Sequence, residues 1–152
     1  MEDDPADFSR PRVAAGVVFF DPGGRVLVVK PTYKDSWDVP GGYVNDGETP
    51  REAAIREVKE ELDLAVGVHS TLVIDWAPHP SEGDKVLFLF DGGVLDGDAR
   101  GQISLDPDEL SKFAFRDLTQ CQALLIERLA RRVTAAVNAR EQGLTLYLEN
   151  GR

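Results

Sequence analysis

The chain has 152 residues, of which 42% are hydrophobic and 29% are charged, so it is long enough for one domain with its own hydrophobic core. Its formal net charge of −10 disfavours duplex nucleic acid and anionic membranes as general partners, because both are negatively charged. A single cysteine, Cys121, excludes an internal disulfide and a thiolate metal cluster. The acidic start of the sequence and its short apolar runs predict a cytoplasmic protein.

The first half of the chain alternates apolar runs with turn signals. Residues 1–11 are rich in Asp and Pro and predict a flexible leader. The apolar runs at 13–20 and 25–30 flank the turn sequence DPGG, which predicts a β-hairpin. The sequence WDVPGG at 37–42 predicts a short strand that runs into a glycine turn, and a helix of about 13 residues follows it.

The second half predicts further strands and one long helix. Strands are predicted at 71–77, 85–93 and 112–118. A long acidic, glycine-rich connection covers 92–111. Apolar residues recur at helical spacing from 119 to about 140, with Gly143 as the terminator, and 144–150 predicts a last strand or an ordered tail. These elements predict an α/β protein with a mixed sheet between helices, in a single domain over 12–152.

The central helix carries an unusual number of carboxylates, and its start is fixed by its sequence. Thr49 and Glu52 have the spacing of a capping box, in which each side chain binds the backbone N–H of the other residue. At about 100° per residue, three carboxylates share one face of the helix within an arc of about 100°. They belong to Glu57, Glu60 and Glu61.

This acidic face has two interpretations. A solvated face is the usual outcome for an isolated E-x-x-E-E pattern. Like charges on neighbouring positions cost about 0.2–0.5 kcal/mol per pair, however, and a divalent cation removes that cost. Ala53 is expected to leave room above the carboxylates. The adjoining apolar stripe that packs on the core comprises Ala54, Ile55, Val58 and Leu62.

The spacing around the helix favours the metal site. From Gly42 the sequence reads glycine, five residues, Glu48, seven residues, then REVKEE at 56–61, one residue, Asp63 and Leu64. This pattern resembles the Nudix box, GX5EX7REUXEEXGU, in which U is a bulky aliphatic residue. The resemblance implies a Nudix-like α/β/α sandwich with a mixed β-sheet between helices.

Asp63 stands where the Nudix pattern has glycine, and this is the one departure from it. A glycine at the end of a helix commonly supplies a left-handed backbone conformation. Asp adopts that conformation more readily than most residues, so we expect modest strain and an intact site.

The resemblance also implies roles for individual residues. The expected metal is Mg²⁺ or Mn²⁺, and Arg56 is expected to orient a carboxylate through a contact with Glu48. The expected metal ligands are Glu57, Glu60, Glu61 and the backbone carbonyl of Gly41. The implied reaction is hydrolysis of a nucleoside diphosphate linked to another group, such as a nucleotide sugar, ADP-ribose or an oxidised or normal nucleoside triphosphate.

The general base of this reaction has several candidates. Glu57 and Glu61 lie in the helix itself, whereas some branches of the family take the base from a later loop. In this chain Glu109 is the preferred later candidate, followed by Asp106 and Asp108, although a solvated acidic turn is the alternative for all three. The candidate substrate contacts, by stacking or charge, are Tyr33, Lys34, Trp37 and Trp76.

Two other functions remain open at this point. A nucleotide-sensing module could keep the fold without turnover, although such modules often lose box carboxylates and this chain retains them. An isoprenoid diphosphate isomerase-like enzyme would need a catalytic cysteine, and Cys121 lies on the late helix, away from the glycine loop. The expected partners are a small nucleoside diphosphate derivative and, in a homodimer, a second copy of the chain, but neither duplex nucleic acid nor a membrane.

Overall fold

The computed structural model of the chain describes residues 4–152. Residues 1–3 of the predicted leader lie outside this range. Within the rest of the leader, Pro5–Asp7 forms a short 3-10 turn that is capped by the Asp4 side chain. The division into a leader at 1–11 and one domain over 12–152 stays a prediction.

Within residues 4–152, seven strands form one mixed sheet, and four helices cover it. The strands are β1 (Arg12–Phe20), β2 (Val26–Pro31), β3 (Gly41–Tyr43), β4 (Thr71–Trp76), β5 (Lys85–Val94), β6 (Leu110–Arg116) and β7 (Leu146–Glu149). The helices are α1 (Pro50–Leu62), α2 (Gly97–Gly101), α3 (Leu118–Leu124) and α4 (Glu127–Gln142). The strand order is β6-β2-β1-β5-β4-β7, and β3 pairs with β1. The pairs β1–β5 and β4–β7 are parallel, and the others are antiparallel.

Both faces of the sheet are buried, each in a core of its own. Successive residues of β1 point to opposite sides, so Val18 and Phe20 join the core under α3 and α4, whereas Val17 and Phe19 join the core under α1. Covering both faces explains why β1 and β2 are apolar along nearly their whole length. The predicted α/β/α sandwich is therefore confirmed.

Strand β1 shares one of its edges between two partners. Phe20 pairs with Val26 of β2, whereas residues 14–16 pair with β3. The predicted hairpin is confirmed, but its two strands separate away from the turn, and Asp38 bridges to Val29 in the gap. This separation admits the glycine loop to the sheet, where β3 packs against α1.

Helix α1 begins and ends as the sequence predicts. Thr49 Oγ1 accepts from the Glu52 N–H at 3.1 Å, and the Thr49 N–H donates to Glu52 Oε1 at 3.2 Å, so both bonds of the capping box are present. Asp63 takes the left-handed conformation with φ 55°, and its N–H donates to the Lys59 carbonyl at 3.0 Å. Ala53 differs from the expectation: it is fully buried in the core between α1 and the sheet, so it does not lie among the carboxylates.

The late helix is two helices, and the prediction of one helix from 119 to about 140 is wrong. Leu125 and Ile126 adopt extended backbone conformations between α3 and α4. The Leu124 carbonyl accepts a hydrogen bond from the Trp37 N–H at 3.0 Å instead of continuing the helix. A contact distant in sequence therefore stabilises the break, and helical periodicity alone carries no signal for it.

Three smaller differences concern element boundaries. The short strand expected at 37–42 begins at Gly41 and ends at Tyr43, because Trp37 and Asp38 make only isolated bridges. The connection at 92–111 is shorter than expected, since β5 continues to Val94 and Asp96 caps the short helix α2. The run at 144–150 contains β7, so it forms a strand at the sheet edge.

An ion pair between Asp75 of β4 and Arg132 of α4 lies inside the protein. The Asp75 side chain is fully buried, the Arg132 Nε donates to Asp75 Oδ2, and the Gly151 N–H donates to Asp75 Oδ1 at 3.0 Å. The pair therefore joins α4, the sheet and the C-terminal segment. Among residues 4–152, no helix is both long and apolar enough to cross a membrane.

Replacing Arg132 tests the contribution of this pair. In Arg132→Met the Asp75 carboxylate stays buried without its cation, so the free energy of unfolding should fall by about 3–5 kcal/mol in urea titrations. Lys59→Met, which breaks an exposed ion pair with Asp63, is the control and should lose no measurable stability. Equal free energies of unfolding for the two variants would contradict a stabilising role of the Asp75–Arg132 ion pair.

Candidate active site

The glycine loop lies directly against the acidic face of α1. The Gly41 N–H donates to Glu61 Oε1 at 3.1 Å. A side chain at Gly42 would displace the Glu57 carboxylate, because a Cβ atom there would lie 2.5 Å from Glu57 Oε1 and 2.6 Å from its carboxylate carbon. Glycine at this position therefore lets the backbone approach the carboxylates closely.

Arg56 binds three carboxylates and one carbonyl at once. Its Nε and Nη2 donate to the two carboxylate oxygens of Glu48 at 2.7 and 2.9 Å, so the predicted contact between these residues is present and bidentate. Its Nη1 donates to Glu57 Oε1 at 3.0 Å and to Glu60 Oε2 at 3.3 Å. Nη2 also donates to the Tyr43 carbonyl at 3.0 Å. The Arg56 hydrogen bonds lower the pKa of Glu48 to about 2.

A cavity of about 240 Å³ opens over the acidic face of α1, and we call it the acidic cavity. Four carboxylates line it: those of Asp38, Glu57, Glu61 and Glu109. Of the lining residues in the described part of the chain, none is basic. The loop before β3, helix α1 and the turn before β6 thus each contribute negative charge to this cavity.

The electrostatics of the acidic cavity follow from this crowding. Burial is the main factor that raises the pKa of Glu61, to about 9, and the charges of Glu57 and Asp38 act in the same direction against the hydrogen bond from Gly41. Burial and the neighbouring charges of Asp106 and Glu57 also raise the pKa of Glu109. Both carboxyl groups therefore hold a proton more tightly than an isolated glutamate does.

The donor set fits a divalent cation. Carboxylate oxygens are the ligands that Mg²⁺ and Mn²⁺ prefer, and a cation would relieve the repulsion among the four carboxylates that line the cavity. Among residues 4–152, no three acidic, His or Cys side chains already converge as a formed metal cage. In this arrangement Glu57 and Glu60 form ion pairs with Arg56. The Glu60 side chain is 51% exposed and does not line the cavity.

A second cavity of about 320 Å³ adjoins the first, and we call it the outer cavity. Tyr33, Asp38, Val39 and Gly41 line both cavities. The floor of the outer cavity is apolar and includes Leu87, Leu89 and Leu129. Its rim is polar and aromatic and includes Lys34, Tyr43, Glu82 and Lys85. The outer cavity therefore has an apolar floor and basic side chains near its edge. The described lining of the acidic cavity includes no basic side chain.

The structure brings some of the predicted substrate contacts together and leaves others apart. Tyr33 lines both cavities, and Lys34 lines the outer one. Trp37 packs on the core under α3 and α4, and Trp76 lies on β4; neither lines a cavity.

Sequence reasoning missed several residues of the site. Asp38 lies directly before the glycine loop, and an acidic residue at that position was a signal that could have been weighed. Tyr43 directly follows Gly42, so its place in the sequence was also a signal. Lys85 and Leu129 carry no such signal, because β5 and α4 bring them to the outer cavity from distant parts of the chain.

Gly42→Ala tests whether the close approach of the loop holds the Glu57 carboxylate in place. The added methyl group would collide with that carboxylate, so the affinity for Mn²⁺, measured by calorimetry or electron paramagnetic resonance, should fall at least about tenfold. Gly67→Ala is the matched control, because a Cβ atom there meets no heavy atom within 4 Å. Unchanged Mn²⁺ affinity in a folded Gly42→Ala variant would contradict this role.

Comparison with known proteins places this site in a family context. A family model described as the NUDIX domain matches residues 10–137. An ADP-ribose pyrophosphatase from Methanocaldococcus jannaschii is 34% identical over 119 residues, which is 71% of this chain and 69% of that protein. An RNA pyrophosphohydrolase from Hydrogenovibrio crunogenus is 41% identical over 59 residues, 39% of this chain and 34% of that protein. The matched part thus spans about a third of the length of this relative.

Solved structures share the fold at low sequence identity. A UDP-X diphosphatase superposes with a TM-score of 0.77 at 20% identity, over 95% of this chain and 70% of that chain. A MutT protein from Methanosarcina mazei Go1 superposes with a TM-score of 0.72 at 19% identity, over 90% and 99% of the two chains. Divalent metal ions are in general use among Nudix hydrolases. Because the family model matches most of the sequence and the box residues form one site, the chain belongs to the NUDIX domain family.

Proposed function

We propose that the protein is a metal-dependent hydrolase that cleaves the diphosphate linkage of a nucleoside diphosphate derivative. The observation that carries the proposal is the pair of adjoining cavities. One is lined by carboxylates of the box helix and has no basic residue among its described lining, and the other has an apolar floor and a cationic rim. A diphosphate with its cation suits the first cavity, and the organic part of the substrate suits the second.

The residues in and beside the acidic cavity have two kinds of role: some hold the metal, and others position the metal ligands. Glu57 and Glu61 would hold Mg²⁺ or Mn²⁺, with Glu60 and the Gly41 carbonyl as further ligands. When bound, the divalent cation neutralises the charge of the diphosphate and acts as a Lewis acid on it. Arg56 is a positioning residue, because it holds Glu57 and Glu60 by one nitrogen while Glu48 anchors the other side of its guanidinium.

Glu109 is our choice for the general base, ahead of Glu57 and Glu61. It lines the acidic cavity, and its raised pKa makes its carboxylate a stronger base than an ordinary glutamate. The Glu109 carboxylate takes a proton from water while the water oxygen forms a bond to one phosphorus. The bond from that phosphorus to the bridging oxygen breaks, and the second phosphate leaves with the electron pair.

The backbone around Glu109 is held in place from the opposite loop. The Thr32 N–H donates to the Glu109 carbonyl at 2.9 Å, and Thr32 Oγ1 donates to the Asp108 carbonyl at 3.1 Å. The Asp108 N–H in turn donates to Asp106 Oδ1 at 3.0 Å. These bonds fix the backbone at Glu109. Glu109 is favoured over its neighbours because neither Asp106 nor Asp108 lines a cavity.

The other functions have less support. Cys121 is buried in α3, burial raises its pKa to about 11, and it lines neither cavity, which argues against a cysteine-dependent isomerase. The retained box carboxylates argue against a sensing module. The net charge of −10 argues against RNA as the substrate, although RNA pyrophosphohydrolases are among the relatives. A cytoplasmic location and a homodimer stay predictions.

A substrate panel with Mg²⁺ tests the proposal. We expect release of a phosphate product from ADP-ribose, a nucleotide sugar, a dinucleoside polyphosphate or a nucleoside triphosphate, and none from RNA with a 5′-triphosphate. Glu61→Gln should lower kcat at least about a hundredfold, whereas Glu141→Gln, on the exposed end of α4, should match the wild type. Tight binding of a panel member without hydrolysis would instead favour the sensing module.

Glu109→Gln tests the assignment of the base. We expect kcat to fall by about 10²–10⁴-fold with little change in KM or in the Mg²⁺ requirement, because the amide still occupies the site but accepts no proton. A base must be deprotonated, so the wild-type rate should rise with pH through the pKa of Glu109, and the variant should lose this acidic limb. Asp108→Asn is the matched comparison and should keep the limb. A limb retained in Glu109→Gln would assign the base to another residue.

A further inference from the structure

The residues at the boundary between the two cavities form a compact polar group. Tyr33 and Asp38 line both cavities, and Lys34 lines the outer one; we call these three residues the junction cluster. A substrate that extends from one cavity into the other must pass this cluster. Its contacts therefore fall on the chemical group that directly follows the diphosphate.

The junction cluster offers an acceptor beside a donor. Lys34 Nζ donates to Asp38 Oδ2 at 3.0 Å, and the Val39 N–H donates to Asp38 Oδ1 at 2.9 Å. A carboxylate accepts about four hydrogen bonds and an ammonium group donates three, so both groups keep unused capacity. Each side chain is about one-third exposed, which leaves this capacity open to a ligand. Neighbouring hydroxyl groups match such a pair, since one hydroxyl donates to the carboxylate while the next accepts from the ammonium.

An aromatic ring completes the cluster. The Tyr33 side chain is 78% exposed, and Lys34 Nζ lies 5.9 Å from the centre of its ring. An exposed ring at the mouth of a cavity offers an apolar face to a flat ligand group, including the C–H face of a sugar. The ring, the carboxylate and the ammonium thus present apolar and hydrogen-bonding surfaces together.

The loop that carries the cluster is fixed before any ligand binds. Lys30 Nζ donates to the Lys34 carbonyl, and the Thr32 N–H donates to the Glu109 carbonyl. At the far end, the Asp38 N–H and carbonyl pair with Val29, and the Trp37 N–H donates to the Leu124 carbonyl. A loop held at so many points keeps its side chains close to one geometry, which is what selective recognition requires.

We infer that the junction cluster recognises a sugar with neighbouring hydroxyl groups, as in ribose, attached directly to the diphosphate. This inference rests on the proposed function for the position of the diphosphate. Asp38 accepts from one hydroxyl, Lys34 donates to the other, and Tyr33 covers the ring. The cluster therefore selects ribonucleotides over their 2′-deoxy and 3′-deoxy counterparts.

A role for Asp38 as a metal ligand is the main alternative, since it lines the acidic cavity and its charge acts on Glu61. The Lys34 ammonium at 3.0 Å argues against that role, because it already balances the Asp38 charge. Glu57 and Glu60 of α1 have no such lysine, and they share the single guanidinium of Arg56 with Glu48 of the preceding loop. The two roles also differ in what they predict for Mg²⁺ dependence.

The test compares binding and hydrolysis in the same set of variants. Calorimetry with Mg²⁺ gives the affinity for ADP, GDP, CDP and UDP beside their 2′-deoxy and 3′-deoxy forms, and the substrate panel gives turnover. The variants are Asp38→Asn, Lys34→Met and the control Asp35→Asn, which removes a charge from an exposed position in the same loop that lines neither cavity. We expect the wild type and the control to bind at least one ribonucleotide about tenfold or more tighter than its deoxy forms.

In Asp38→Asn and Lys34→Met this preference should shrink to threefold or less, with affinity for the deoxy forms nearly unchanged. Equal affinity of the wild type for ribo and deoxy forms would overturn the inference. So would a loss in Asp38→Asn that is equal for all nucleotides and accompanied by a higher Mg²⁺ requirement, which would make Asp38 a metal-site residue. Sugar preference in binding without any hydrolysis would refute the proposed function alone, and hydrolysis without sugar preference would refute this inference alone.

Discussion

The guanidinium of Arg56 is the interaction on which the site depends. It binds the Glu48 carboxylate and the Tyr43 carbonyl of the loop before α1. It also binds two carboxylates of α1, those of Glu57 and Glu60. Without a cation these acidic groups repel one another, and one residue with five N–H donors in a rigid fork can hold them together. The capping box fixes the first turn of α1 and with it the position of Arg56, so the cap contributes to the geometry of the site.

The sheet supplies the second constraint. Because β1 shares an edge between β2 and β3, the glycine loop enters the sheet directly over α1, and the loop at 31–37 is displaced to the mouth of the two cavities. Glu109 is distant in sequence from this loop, and its carbonyl accepts a hydrogen bond from the Thr32 N–H of the loop. In the proposed mechanism, the groups for charge neutralisation, for proton transfer and for holding the organic part of the substrate thus come from separate elements. Backbone hydrogen bonds fix the loops that carry them, whereas the Arg56 side chain holds Glu57 and Glu60.

The sequence predicted those features that depend on local spacing. The capping box of Thr49, the left-handed Asp63 and the Arg56–Glu48 contact lie within one short stretch, where helix geometry determines the neighbours. Features that depend on distant contacts were not accessible in this way. The break at Leu125 is stabilised by a hydrogen bond from the Trp37 N–H to the Leu124 carbonyl, and the packing of β5 and α4 brings Lys85 and Leu129 to one cavity. Periodicity alone likewise placed Ala53 among the carboxylates, whereas it is buried in the core under α1.

The most direct measurement of the central claim is anomalous diffraction from crystals of the protein equilibrated with Mn²⁺. We expect a manganese peak in the acidic cavity, within coordination distance of the Glu57 and Glu61 carboxylates, with Glu57 turned away from Arg56. Mn²⁺ takes oxygen ligands of this kind, so the peak should persist when Mg²⁺ is present at moderate excess. Absence of a peak at α1, or a peak only at another acidic group such as Asp96 and Asp98, would contradict a metal site at the box helix.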